Sequence, residues 1–438
     1  MATALIHGAL PALWFGALTG TTALVREVLI GSKEIPEIIR SSWQHPPGRR
    51  VVTKQGRLYE EYSRFWNTEP ANPEVSGWPR SHSVDKDLCP DTMGLRSMTK
   101  KPFTGARAKS PQRSCLDLFS GAGGLSIGLR EAGYKVEFAC EIDTDCCATY
   151  DAVLPEHRIE PRPIQDVDFS RYQGIDLVAG GPPCQPFSSG GKRLASKDDR
   201  DMIPEFVRAV KQARPKVFLM ENVPGLQVSW NDSYYHLFKD QLESLGYTLS
   251  IQVLNAADYG VPQKRRRLLV VGVRSGEFRF PEPTHGPDRG LPFQIAGQLL
   301  SPDRILGDAN ESKIVYAKRP QLRPSPYDGL LFNGGGRPIN LSQPCNTILA
   351  SAGGNKTHFL DSETLVPPYH AHLVRGGKPR RGQLLGARRL TVRESALIQT
   401  FPGEMEFKGP RSSQYRQVGN AFPPKLAAIL GSALMRVM

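Results

Sequence analysis

Four short apolar runs alternate with helical patterns between residues 114 and 274, and each leads directly into a turn or side chain suited to chemistry. The runs are Cys115 to Phe119, Val136 to Cys140, Ile175 to Ala179, and Val217 to Met220. Alternation of this kind predicts an α/β fold, with a parallel sheet and helices on both of its faces. In open sheets of that class, ligands gather at the carboxyl ends of the strands. Functional side chains are therefore expected at those strand ends.

The first run passes into Phe119-Ser120-Gly121-Ala122-Gly123-Gly124, followed by a helical pattern from Leu125 to Ala132 that Gly133 closes. Strand, glycine turn and helix bring backbone N–H groups close to a ligand. The glycines read FxGxGG and not the GxGxxG dinucleotide fingerprint, so a plain tight turn is the alternative. The second run ends at Glu141, 20 residues after Gly121. An acid in that place binds ribose hydroxyls in nucleotide folds.

The third run ends in Gly181-Pro182-Pro183-Cys184-Gln185-Pro186-Phe187-Ser188. Its prolines fix φ and stiffen the loop around the one cysteine. Taken alone, Cys184 reads as a structural thiol in a Pro-rich turn. Held at a strand end, it also meets the positional demand on a nucleophile. The fourth run ends at Glu221, on the same predicted edge, where a carboxyl suits general acid work or hydrogen bonding to a heteroaromatic ring. A helix cap is its plainer reading. Gln263-Lys264-Arg265-Arg266-Arg267 then enters a strand from Leu268 to Val273. Period-two alternation places Arg265 and Arg267 on one face. Two guanidinium forks there favour an electron-rich carbonyl or a phosphate.

Two further segments complete the pattern. Arg389-Leu390-Thr391-Val392-Arg393-Glu394 leads to Gln399-Thr400-Phe401-Pro402, and Gln417-Val418-Gly419-Asn420 precedes a C-terminal helix. Together these motifs resemble the DNA cytosine-5 methyltransferase family, in its bacterial restriction–modification form, over roughly residues 114–274 and 388–438. The resemblance implies an S-adenosylmethionine-dependent Rossmann-like sheet and a smaller, mostly β or irregular target recognition domain. It implies Cys184 as the nucleophile at C6 of a flipped-out cytosine, Glu221 at N3 and the exocyclic amine, and Arg267 near O2 with Arg265 in support. Phe119, Gly121, Gly123, Glu141, Asp166, Met202 and Asn420 match the cofactor-contacting positions. No metal is implied. The family also places a mobile active-site loop at Ser188 to Arg193, followed by Lys197 to Arg200, closing over DNA. Base chemistry at C5 requires extrusion of the cytosine from the stack.

The resemblance further implies duplex DNA as partner, a monomer in the cytoplasm, and leaves open a cognate restriction endonuclease acting separately. A tRNA methyltransferase on the same scaffold is disfavoured, because no Cys-Phe-Thr signature occurs here. A catalytically silent DNA binder is disfavoured by intact Cys184, Glu221 and Arg267.

Charge agrees with a polyanionic partner, since Lys and Arg number 56 against 43 Asp and Glu, a net of +13. Seven scattered cysteines without CxxC spacing indicate a reduced chain. No 18-residue apolar span appears. Four regions are expected: an extension over 1–113, a catalytic part over 114–274, a target recognition domain over 275–387, and a return to the catalytic part over 388–438. Within 275–387, Pro and Gly dominate, helical periodicity fades, and 13 Lys and Arg face 9 Asp and Glu. There Asn355, Lys356 and Thr357 are candidates to reach base edges or phosphate, with a surface turn as the alternative. Residues 1–113 read as a poorly ordered extension, with Met98 or a nearby codon as an alternative start and an accessory DNA-binding segment as the runner-up.

Overall fold

The computed structural model describes residues 112–157, 159, 161–183, 201–227 and 232–438, without the side chains of 232 and 233. The expectations for the N-terminal extension, for Cys184 and for the loop from Ser188 to Arg200 lie outside these residues.

The first half of the described chain alternates as the apolar runs require. It runs β1 (Arg113–Leu118), α1 (Gly124–Glu131), β2 (Tyr134–Cys140), α2 (Thr144–Val153), β3 (Leu177–Gly180), α3 (Ile203–Ala213), β4 (Val217–Asn222), α4 (Asp232–Ser244), β5 (Thr248–Asn255), β6 (Gln263–Lys264) and β7 (Arg266–Val273). A six-stranded sheet forms in the order β2-β1-β3-β4-β7-β5. Period two sorts its side chains between two cores. Leu116, Leu118, Val178, Phe218, Met220, Leu268 and Val270 face α3 and α4. Cys115, Leu177, Ala179, Val217, Leu219, Leu269 and Val271 face the opposite way, against Leu129 of α1 and the C-terminal helix.

One strand departs from the expected parallel sheet. β7 is antiparallel to both β4 and β5. Only a short connection separates β5 from β7, too short for the crossover that parallel neighbours need. The reversal has a positional consequence. The start of β7, with its arginines, lies at the edge where β4 ends, because Asn222 pairs with Leu268 and Glu221 with Leu269.

Beyond residue 274 the chain is less regular. It contains β8 (Tyr316–Gln321), β9 (Leu330–Phe332), β10 (Cys345–Asn346), β11 (Phe359–Asp361), α5 (Val366–Val374) and β12 (Ala387–Arg389). Ile314, Leu331, Phe332, Phe359, Val366, Tyr369, Leu373 and Leu384 form a separate small core. Helix α5 was not anticipated in this stretch. Val366-Pro367-Pro368 opens it, and proline in a first turn loses no bonded N–H.

The chain closes with α6 (Val392–Ile398), α7 (Arg411–Asn420) and α8 (Pro424–Leu434). Thr391 and Glu394 form a capping box at α6. Helix α8 lies directly on α1. A Cβ on Gly128 would sit 2.2 Å from the Pro424 carbonyl oxygen, so glycine there sets the approach of the two helices.

Candidate active site

The glycine turn after β1 requires unusual backbone. Phe119, Gly121 and Gly123 all have positive φ, at 58°, 54° and 84°. Ser120 N–H donates to the Cys140 carbonyl at 3.0 Å, locking the turn to the end of β2. The Gly121 N–H then donates to Glu141 Oε2 at 2.9 Å, while Glu141 Oε1 accepts from the N–H groups of Ile142 and Asp143 at 2.7 and 2.8 Å. Three backbone donors thus fix the carboxylate and leave one acceptor site, on Oε2, untaken by them. A Cβ on Gly121 would meet no atom within 4 Å, so the space before the turn is open. The helix behind it, α1, begins without a side-chain cap or an acid in its first turn.

Asn420, Asp166 and Met202 are further expected cofactor positions. Asn420 ends α7 and is exposed, and the two residues after it pack on Gly124. Asp166 is exposed at the end of a single 3₁₀ turn, Ile164–Asp166. Its neighbour Gln165 donates to Met202 Sδ at 3.4 Å. Ile142, which was not among the expected positions, is 65% exposed directly beside Glu141. An apolar residue following the acid at a strand end was the available signal.

Glu221 and Arg267 meet at the same edge. Arg267 Nε lies 2.6 Å from Glu221 Oε1, with side chains 15% and 17% exposed. Gly181 lies against this pair, since a Cβ on it would sit 2.9 Å from Glu221 Oε2. The Asn222 amide donates to the Pro182 carbonyl at 3.2 Å, and the Met202 N–H donates to the Pro183 carbonyl at 3.0 Å. The loop is therefore pinned up to the residue before Cys184.

Arg265 does not share this surface. It is 1% exposed and precedes the strand, so the period-two argument fails to reach it. Its guanidinium donates to the carbonyls of Ile348, Gly419, Asn420 and Ala421. Burial, and then the neighbouring charge of Arg267, hold its pKa well below the usual arginine value.

Thr357 departs from its expected role at the recognition surface. It is buried, and its hydroxyl accepts from the Gly353 N–H and the Asn310 amide, so it cannot reach a base. Asn355 and Lys356 are exposed.

Below the turn, Asp117 is fully buried in β1. Its Oδ2 accepts from Ser126 N–H and Oγ at 3.1 and 2.6 Å, while Oδ1 has no partner. Burial pushes its carboxyl up to about 7. Among the described residues no group of three or more His, Cys, Asp or Glu is placed to hold a metal. Nor is any described helix long and apolar enough to cross a membrane.

Known proteins share this sequence and fold. The family profile of the C-5 cytosine-specific DNA methylases matches residues 113–321 and 336–436. Type II methyltransferase M1.HphI of Haemophilus parahaemolyticus is 34% identical over 334 residues, covering 74% of this chain and 86% of that protein. Type II methyltransferase M.NgoMIV of Neisseria gonorrhoeae is 32% identical over 75% of this chain and 98% of its own length. The Entamoeba histolytica methyltransferase EhMeth has the same fold, with a TM-score of 0.54 at 15% identity over 75% of this chain and 99% of that one. A sheet edge carrying the glycine turn, Glu221 and Arg267, in a chain so related, places this protein in the C-5 cytosine-specific DNA methylase family, as an enzyme that methylates cytosine in DNA.

Proposed function

We propose that the chain transfers the methyl group of S-adenosylmethionine to C5 of a cytosine turned out of duplex DNA, with Cys184 as the nucleophile at C6. The observation that carries this reading is the Arg267–Glu221 pair beside the pinned Gly181–Pro183 loop. Cytosine is a weak electrophile, so attack at C6 needs aimed groups where charge develops. Glu221 would face N3 and the exocyclic amine, and Arg267 would face O2. The sulfur–C6 bond forms as the C5=C6 electron pair moves to C5 and the Glu221 carboxyl protonates N3. Once C5 takes the methyl, the electron pair of the broken sulfur–methyl bond stays on the cofactor sulfur, as the neutral thioether. Loss of the C5 proton to solvent then expels the thiolate from C6 and restores the ring, and N3 returns its proton to Glu221.

The cofactor site fits its ligand. Glu141 is immobilised with an acceptor site left on Oε2, the Gly121 cradle is open, and Ile142 would offer an apolar face. Phe119, Gly123, Asp166, Met202 and Asn420 would complete the contacts. Bound S-adenosylmethionine supplies an electrophilic methyl group. Residues 275–387 would read the target sequence, with Asn355 and Lys356 at the reading surface. The names of the relatives support a restriction–modification setting, with a cognate endonuclease as a separate protein.

Duplex DNA containing 5-fluorocytosine tests the chemistry, because C5 then has no proton to lose. The wild type should form a denaturant-resistant adduct and Cys184→Ser should form none. A hydroxyl offers no anion near neutral pH, whereas a thiol of pKa about 8.5 is readily tuned. Trapping by the serine variant removes Cys184 from the mechanism.

A further inference from the structure

Behind the Glu221–Arg267 pair lies a buried polar cluster made by Gln263, Arg265 and Gln399, exposed 0%, 1% and 0%. Gln263 Nε2 donates to Gln399 Oε1 at 2.8 Å, and Gln263 Oε1 accepts from the Ile348 N–H at 3.0 Å. Gln399 Nε2 donates to the carbonyls of Val418 and Ala421 at 2.8 and 3.3 Å. Arg265 reaches Ile348 O through Nη1 at 3.3 Å, and Gly419, Asn420 and Ala421 through Nη2 at 3.1, 3.4 and 2.9 Å. Main-chain bonds extend the seam. β10 pairs in parallel with β6, the Cys345 N–H donates to Pro262 O at 2.9 Å, and Thr347 Oγ1 donates to Lys264 O at 2.6 Å. Four segments meet here, around Gln263–Arg265, Cys345–Ile348, Gln399 and Val418–Ala421.

A guanidinium buried among carbonyls, with no carboxylate among the described residues bonded to it, is costly to keep. The geometry shows what it fixes. Arg267 follows two residues later, roughly 7 Å along an extended chain. The carbonyl of Asn420 is held by the same Nη2.

We infer that Gln263, Arg265 and Gln399 are positioning residues that set Arg267 against Glu221 and Asn420 at the cofactor turn, locking segment 345–348 to both. Arg265 then touches neither base nor cofactor. This rests on the function proposed above, in which Arg267 meets the base and Asn420 the cofactor. It differs from direct support of the base by Arg265, and the two roles separate experimentally.

Arg265→Lys and Gln399→Leu would be made in the full chain, alone and in an Arg267→Ala background. Both should melt cooperatively. Loosening Asn420 should weaken S-adenosylmethionine binding without DNA, read by calorimetry, at least about fivefold. Misplacing Arg267 should lower kcat at least about tenfold, since small misplacements cost as much as 10²-fold. In the Arg267→Ala background either change should lower kcat by less than about twofold, because a residue acting through another adds little once that one is gone. A full multiplicative loss there, with cofactor affinity unchanged, overturns the inference and leaves the proposed function standing. Should Arg265→Lys fail to fold, Gln399→Leu is judged by the same readouts. A wild type that binds S-adenosylmethionine but methylates no DNA removes the functional reading. The cluster is then judged by cofactor affinity alone, and unchanged affinity in both variants overturns it.

Discussion

Two carboxyl groups of the sheet, on β4 and on β1 with β3 between them, stand in opposite surroundings. Glu221 stands at the sheet edge against Arg267, 17% exposed and open to a ligand. Replacing it with glutamine keeps shape and one hydrogen bond and removes the proton. Turnover should fall at least about 10²-fold, the range of general acid–base groups, while DNA affinity changes little. A rate within threefold of wild type would show that N3 is served by another group. Asp117 is sealed beneath the glycine turn, bonded to Ser126, whose hydroxyl also meets Tyr150; burial raises its pKa and the charge of Glu141 adds to that. Its folded pKa, about 7, lies above the ordinary carboxylate value of 3.8, so the folded state holds the proton longer than the unfolded state does. Stability from this group is therefore present at low pH and is lost as pH rises through that window. Asp117→Asn should flatten the fall in melting temperature between about pH 4 and 7 in cofactor-free protein. A parallel fall in both proteins would sink the assignment. Glu221 could be picked out of the sequence because it ends an apolar run. The burial of Arg265 could not, because alternation says which residues share a face only once a strand has begun.

The elements most legible in the sequence were those with a strong apolar period. Helix α3, Ile203–Ala213, is of this kind, because Phe206, Val207 and Val210 recur at helical spacing before Pro215. β7 kept its apolar core but not its expected direction, since strand direction is set by connection length and neighbours. α5 was hidden by two prolines that usually signal irregular chain, yet at a helix start they cost nothing. The packing of α8 on α1 was also invisible, because Gly128 looks like a weak helix residue until its partner is known. Gly128→Ala tests that contact directly. The new methyl would lie 2.2 Å from Pro424 O and 2.5 Å from Ala427 Cβ, so the helices must separate. Alanine gains about 1 kcal/mol of helix propensity over glycine, yet overpacking costs roughly 1–3 kcal/mol. The variant should melt several degrees lower, with S-adenosylmethionine affinity reduced as the turn moves with α1. A raised melting temperature would mean that the interface yields freely.

At the scale of the molecule, the region proposed to read sequence is joined to the region proposed to do chemistry chiefly through backbone atoms. Arg265 meets Ile348 by its carbonyl, Gln263 meets it by its N–H, and Cys345 joins Pro262 by main chain. Such contacts depend on the path of the chain and little on its side chains. Buried Ile339, Ile348 and Leu360 supply the apolar part of the seam, against Leu390, Ile398 and Val418. A graft that preserves the path and those apolar positions should therefore leave the pocket intact. Base contacts carry sequence information, whereas phosphate contacts position the protein. Replacing residues 275–387 with the equivalent segment of a relative of different specificity should move the methylated sequence to that of the donor. Turnover should stay within about tenfold, because the buried cluster finds the same carbonyls and N–H groups. Methylation-sensitive sequencing of DNA from cells expressing the chimera reads the outcome. An active chimera that keeps the original target would place specificity outside 275–387, and the N-terminal 113 residues would be the next segment to exchange. An inactive chimera that still folds and binds S-adenosylmethionine would mean that the seam transmits more than backbone position, with Asn355, Lys356 and their exposed neighbours tuned to the pocket they accompany.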